Sequence, residues 1–157
     1  MENLPAFVSG IVRLWNLNQY RSDLYQQAMT LENVGSLRRI CSHGYISSLL
    51  FKKEIQWVYD GLKCSLMDGD ISKNQPLREK PQGISERTDK LSLAGILRRQ
   101  EQKTIRIYHK LMSAVPLSKD ISEILADHLY KLKDIDIQLN KELRDSYENQ
   151  HNFHHID

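Results

Sequence analysis

The sequence predicts an all-α protein, an up-down four-helix bundle with one long crossover between its second and third helices. Apolar residues recur at three- and four-residue steps through four long segments, roughly 6–31, 36–63, 90–115 and 119–146. Links within each half are short, whereas a polar stretch at about 67–89 separates the halves. The 157 residues fit one domain that can bury a core without staples. We take residues 1–148 as that domain and 149–157 as a polar, histidine-rich tail.

Helix one opens near Pro5, because proline suits a first helical turn where its missing N–H is not needed. Its core stripe is Ile11, Leu14, Leu17, Leu24, Ala28 and Leu31, with Arg21 the one polar member. Val8, Val12 and Trp15 make a second apolar face near its start, which fits either a subunit contact or extra packing within the chain. Gly35 supplies a turn, and Ser36 suits the cap of helix two. The stripe of helix two runs Leu37, Ile40, Cys41, Gly44, Ser48, Phe51, Ile55, Val58 and Leu62. Gly44 and Ser48 are small residues one turn apart. They leave room for a neighbouring backbone, for Tyr20 or Tyr25, or for a small apolar ligand. Gly61 and the turn Asp68-Gly69-Asp70 are expected to end this helix.

The stretch from 67 to 89 holds Pro76 and Pro81 but few apolar anchors, chiefly Ile71, Leu77 and Ile84. A helix of about 25 residues rises roughly 37 Å, a span that some twenty residues can cover. This length suits parallel second and third helices rather than a tight hairpin. Helix three carries Leu93, Leu97, Ile105, Tyr108, Met112 and Val115, its stripe passes through Glu101, and Pro116 closes it. Ser118 caps helix four, with Asp120 in its first turn. The stripe then runs Ile121, Leu125, Leu132, Ile135 and Leu139, passing through His128.

Composition excludes several classes. With 22 basic and 20 acidic residues the net charge is only +2, and nucleic-acid binders concentrate basic charge on one face. The stretch Arg98, Arg99, Lys103 and Arg106 is interrupted by Glu101 and reads as a solvated helix face, so no nucleic-acid partner is expected. No apolar run approaches the roughly 18–20 residues that span a bilayer, so no membrane partner is expected either. Two cysteines, Cys41 and Cys64, do not make a disulfide framework. The start MENLPAFVSGIV lacks a basic region and a small-residue cleavage signature, and the expected location is the reducing cytoplasm.

Di-metal bundles draw carboxylates from four helices and a Glu-x-x-His pair from each of two of them. The one such pair here, Glu148 and His151, lies beyond the core segments. His151, His154 and His155 could chelate copper, nickel or zinc, but read first as a polar terminus. Glu101 and His128 are the inward polar candidates, and Asp23 and His43 stand one step off their stripes. Asp23, His43, Glu101 and His128 give one residue per helix, a set whose carboxylates and imidazoles suit a single iron, zinc or manganese ion. The stronger expectation is structural: Arg21, Glu101 and His128 satisfy one another in a buried polar layer, since a buried charge persists only when paired. The seven tyrosines read as bundle packing.

The chain resembles a bacterial family of ferritin-like four-helix-bundle domains of unknown function. The likeness lies in Leu17-Asn18-Gln19-Tyr20, Asp23 through Ala28, Phe51 through Ile55, Glu101 through Leu111, Tyr130 and Leu143-Arg144-Asp145. The resemblance implies a ferritin-like fold and a bacterial origin. It also implies that Asp23, His43 and Glu101 lie at or near positions where relatives carry acidic residues. A histidine the family pattern places late in helix four is replaced near Ile137, beside Asp134 and Asp136, which counts against two-iron oxidase chemistry. The expected role is a non-enzymatic, dimeric structural or protein-interaction module. The alternative is a metal-binding protein that stores or oxidises iron, manganese or zinc.

Overall fold

A computed structural model describes residues 4–66 and 80–155, with side chains described to 62 and from 80 to 145. It contains four helices: α1 (Leu4–Met29), α2 (Leu37–Leu66), α3 (Lys90–Ala114) and α4 (Lys119–His155). No described residue lies in a strand. The four helices agree with the expected bundle. The turn at 68–70 and the anchors Ile71 and Leu77 fall outside the described residues, as do the side chains of Glu148, His151, His154 and His155.

Each helix meets two neighbours, in the order α2, α1, α3, α4 and back to α2. Side-chain pairs give the directions. Asn18 reaches Tyr108 and Arg21 reaches Glu101, so α1 and α3 are antiparallel. Arg98 with Asp136 and Tyr108 with His128 make α3 and α4 antiparallel. Ser36 with Glu142 and Glu54 with His128 do the same for α2 and α4. Lys90 Nζ donates to Ser36 Oγ at 3.0 Å and pairs with Glu142 at 3.2 Å, so α2 and α3 begin at one end of the bundle.

Local chemistry explains most boundaries. Gly35 has φ 54, a left-handed conformation that glycine adopts without strain, and it closes the link into α2. The Ser36 hydroxyl is used across the bundle rather than at the start of α2: it donates to Glu142 at 2.6 Å and accepts from Lys90 Nζ. Asp89 caps α3 by accepting from Ser92 N at 2.7 Å, and Ser118 accepts from Ile121 N at 3.4 Å as expected. Gly61 does not end α2, which continues to Leu66. A single glycine costs a helix about 1 kcal/mol relative to alanine, too little to stop one packed along its length. Beyond Ser118 the sequence has neither glycine nor proline, and α4 runs through His155 rather than stopping near 146.

The core is two apolar clusters. One gathers Ile11, Leu14, Phe51, Ile55, Tyr108 and Leu132 with their neighbours. The other gathers Leu24, Tyr25, Leu37, Cys41, Leu93, Leu97 and Leu139 with theirs. Val8, Val12 and Trp15 pack on the first cluster, so the second apolar face of α1 is used within the chain. Cys41 is buried and its thiol is pushed up to about 12 by burial, the behaviour of a small hydrophobe. Among the described residues no helix is long and apolar enough to cross a membrane.

Candidate functional site

A buried polar layer involves the two clusters from α1, α2, α3 and α4 together. Asn18, Arg21, Ser48, Glu101, Thr104 and His128 have no exposed area, and Ser22 and Ser47 have little. Three hydroxyls bond back to their own helix: Ser22 to Gln19 O, Ser48 to Tyr45 O and Thr104 to Gln100 O. They fill helix positions without asking the neighbours for anything.

Arg21 and Glu101 form a two-pronged ion pair. Nε donates to Oε1 at 2.7 Å and Nη2 to Oε2 at 3.0 Å, the fork geometry in which arginine binds carboxylate best. Nη2 also reaches Ser47 Oγ at 3.2 Å, and Nη1 donates to Asn18 Oδ1 at 2.8 Å. The guanidinium lies 5.4 Å from the ring centre of Phe51 and 5.7 Å from that of Tyr25. Burial, the largest influence, lowers its affinity for a proton, but the Glu101 carboxylate together with Tyr25 and Tyr108 outweighs it and the pKa is raised.

From Asn18 the bonds continue across the bundle. Its amide nitrogen donates to Leu14 O at 2.9 Å and to the Tyr108 hydroxyl at 3.0 Å. Tyr108 meets His128 Nδ1 at 2.9 Å, and His128 Nε2 meets Glu54 Oε1 at 3.2 Å. The donors assign themselves. Arg21 fixes the Asn18 oxygen as acceptor, so the Asn18 nitrogen donates to Tyr108 and leaves the phenol proton for Nδ1. His128 is then neutral, with its proton on Nε2 facing the Glu54 carboxylate. Burial lowers its pKa to about 4, although Glu54 pulls the other way. Phe51 stacks on the imidazole with ring centres 3.9 Å apart. Glu54 is 43% exposed, so this arm of the layer reaches solvent.

Tyr25 is the one buried side chain among those described whose polar atom lacks a hydrogen-bond partner. Burial, then the Glu101 charge, holds its hydroxyl well above the ordinary phenol range. Its ring lies directly over Gly44, where any Cβ would overlap it. The space left by Gly44 is therefore occupied by Tyr25.

The four candidate metal ligands are placed as follows. Glu101 is wholly buried and bound through both oxygens to Arg21. His128 is wholly buried and engaged at both nitrogens. Asp23 is half-buried and accepts from Gln19 Nε2 at 3.2 Å, while His43 is exposed on α2. Among the described residues no three His, Cys, Asp or Glu side chains are grouped so as to hold a metal ion.

Arg21 and Glu101 meet as the sequence suggests, but His128 joins them only through Tyr108 and Asn18. Asn18, Tyr108 and Glu54 are the connecting residues the sequence reading did not assign. The signal for Asn18 was its spacing: Leu14, Asn18, Arg21 and Tyr25 continue one stripe, whereas Leu17 is only half-buried. Comparison with known proteins finds no family model, no curated relative and no solved structure that matches this chain.

Proposed function

We propose that this chain is a non-enzymatic, ferritin-like bundle that serves as a structural or protein-interaction module. One observation carries this: Glu101 and His128, the buried carboxylate and imidazole that could hold a metal ion, are fully engaged by neighbouring side chains. Both Glu101 oxygens face Arg21, and both His128 nitrogens face Tyr108 and Glu54. A guanidinium lies against the buried carboxylate, and its fixed positive charge supplies the compensation a metal ion would otherwise give. The helix directions support the ferritin-like part of the proposal. Helices α2 and α3 begin at one end, the parallel relation that a ferritin-like bundle with a long second connection requires.

Elemental analysis of protein made without a histidine tag, followed by an iron(II) titration, tests the proposal. The expected result is no stoichiometric metal and no saturable uptake, in the native chain and in Glu101→Gln alike. Stoichiometric iron, manganese or zinc that Glu101→Gln abolishes overturns it and installs the metal-binding alternative.

A further inference from the structure

Helix α3 carries six arginines and lysines against one acid, and that acid does not share their face. Glu101 lies in the middle of the run in sequence, but it is wholly buried and bound through both oxygens to Arg21. What interrupts the run in sequence is thus absent from the surface. Arg99, Lys103, Arg106 and Lys110 are all exposed and follow at steps of four, three and four residues, which sets them in one line along α3. The line runs over about 16 Å, three turns of helix.

No carboxylate among the described residues pairs with any of the four. Arg98, turned toward α4, takes Asp136 at 3.2 Å. On the other flank α1 has one acid, Asp23, which accepts from Gln19. Gly10 of α1 lies against Leu111, so the exposed Arg13, one turn on, is level with the Lys110 end of the strip and of the same sign. The four positive charges exceed the +2 of the whole chain, so the basic excess is gathered on this face.

We propose that this face of α3 docks an acidic helical segment of a protein partner, with carboxylates at the same three- and four-residue steps, which rests on the interaction-module reading. Charge complementarity selects the occupant. A helix that repeats acids at this period lies along α3 with a carboxylate opposite each base, and arginine receives carboxylate in its fork. Single-stranded nucleic acid is held by aromatic side chains on which bases stack, but the one Phe, Tyr or Trp of α3 is the buried Tyr108. A lipid surface is entered by exposed apolar side chains, and α3 has no large one. Exposed ion pairs are individually weak and screened by salt, so affinity comes from all four acting together at low ionic strength.

Fluorescence anisotropy of the full chain with a labelled alanine-based helical peptide tests this, its glutamates set at steps of four, three and four. The comparison peptide has the same composition with its glutamates spread around the helix. Saturable binding is expected for the first, lost on raising salt from about 20 to about 300 mM. Lys103→Glu with Arg106→Glu should weaken it at least about tenfold, since like charges then face one another. Lys53→Glu with Lys141→Glu makes the same change in net charge away from the strip and should leave binding unaltered, with circular dichroism confirming that both variants fold. No saturable binding at millimolar protein overturns the inference. So does equal binding of the two peptides, or equal weakening by the two double variants. A single-stranded or duplex oligonucleotide of equal charge, or phosphatidylserine vesicles, held more tightly than the peptide at the same salt overturns it in favour of a phosphate-bearing partner. Stoichiometric metal would sink the module reading whichever peptide binds, so the two failures are distinguishable.

Discussion

Arg21 and Glu101 have no exposed area; both Glu101 oxygens accept from Arg21, which places the other two of its four hydrogen bonds on Asn18 and Ser47. A few ångströms along the same layer, Tyr108 and His128 lead outward to Glu54, a carboxylate that solvent reaches. The first region holds a fixed charge, since arginine stays protonated at any accessible pH. The second holds a neutral imidazole whose state depends on pH. The contrast follows from what each chain of bonds ends on. A sealed charge persists only with a full counter-charge beside it, while a neutral group can be passed from donor to acceptor until water is met.

The contrast is broken most severely inside the sealed pair. Glu101→Ala leaves a buried guanidinium without its counter-charge and is expected to lose about 3–5 kcal/mol in urea unfolding. Arg21→Met combined with Glu101→Leu removes both charges and should regain most of that loss. If the double variant were as unstable as the single one, packing and not charge would be what the pair contributes.

The open arm responds to pH. Unfolded, His128 takes a proton near 6.5; folded, it does so only near 4. Between these values the unfolded chain holds the additional proton, so stability falls as pH drops from about 6.5 and the loss is complete below about 4. The full change is roughly 3 kcal/mol. Unfolding midpoints measured across this range should show the slope, and His128→Gln should flatten it. An unchanged slope in His128→Gln would assign the effect to other groups.

The junction between the regions is the Tyr108 hydroxyl. In Tyr108→Phe the Asn18 amide keeps Leu14 O, but His128 Nδ1 loses its donor inside the bundle. An unsatisfied buried acceptor costs about 1–3 kcal/mol. The Glu101→Ala loss should be unaltered in this background if the regions are independent, and smaller if Asn18 couples them, which a double-mutant cycle reads directly.

How much of this was legible beforehand follows from the period of the helices. Along α2 every residue read as core, from Leu37 to Val58, is buried, because the three- and four-residue spacing picks out that stripe although Ile46, Leu49, Leu50 and Trp57 are apolar and exposed. Along α1 and α3 the stripe slips by one residue. Asn18 is buried rather than Leu17, and Thr104 and Leu111 rather than Ile105 and Met112. Bonding across helices accounts for Asn18, which reaches Tyr108. Thr104 bonds within α3 and Leu111 is apolar, so there the stripe follows the helix period rather than the hydrophobicity of single residues. Arg21 and Glu101 could be paired from sequence because two opposite charges on inward stripes demand each other. Glu54 could not, since its partner His128 is buried on another helix while it stays half-exposed.

The smallest expected effect lies where the open arm meets water. Glu54→Gln keeps an oxygen that can accept from His128 Nε2, and the site is partly solvated, so the loss near neutral pH should stay below about 1 kcal/mol. The carboxylate is the group that favours the charged imidazole, so removing it lowers the His128 pKa further. The pH at which the stability loss is complete should then move below 4 while its onset near 6.5 stays put. Titration of the His128 ring signals by NMR would follow the folded-state pKa, and unfolding midpoints across the range would follow the onset. A variant whose His128 pKa rose toward 6.5 would show that solvent reaches the imidazole once the carboxylate is gone, and that Glu54 closes the arm as well as ending it.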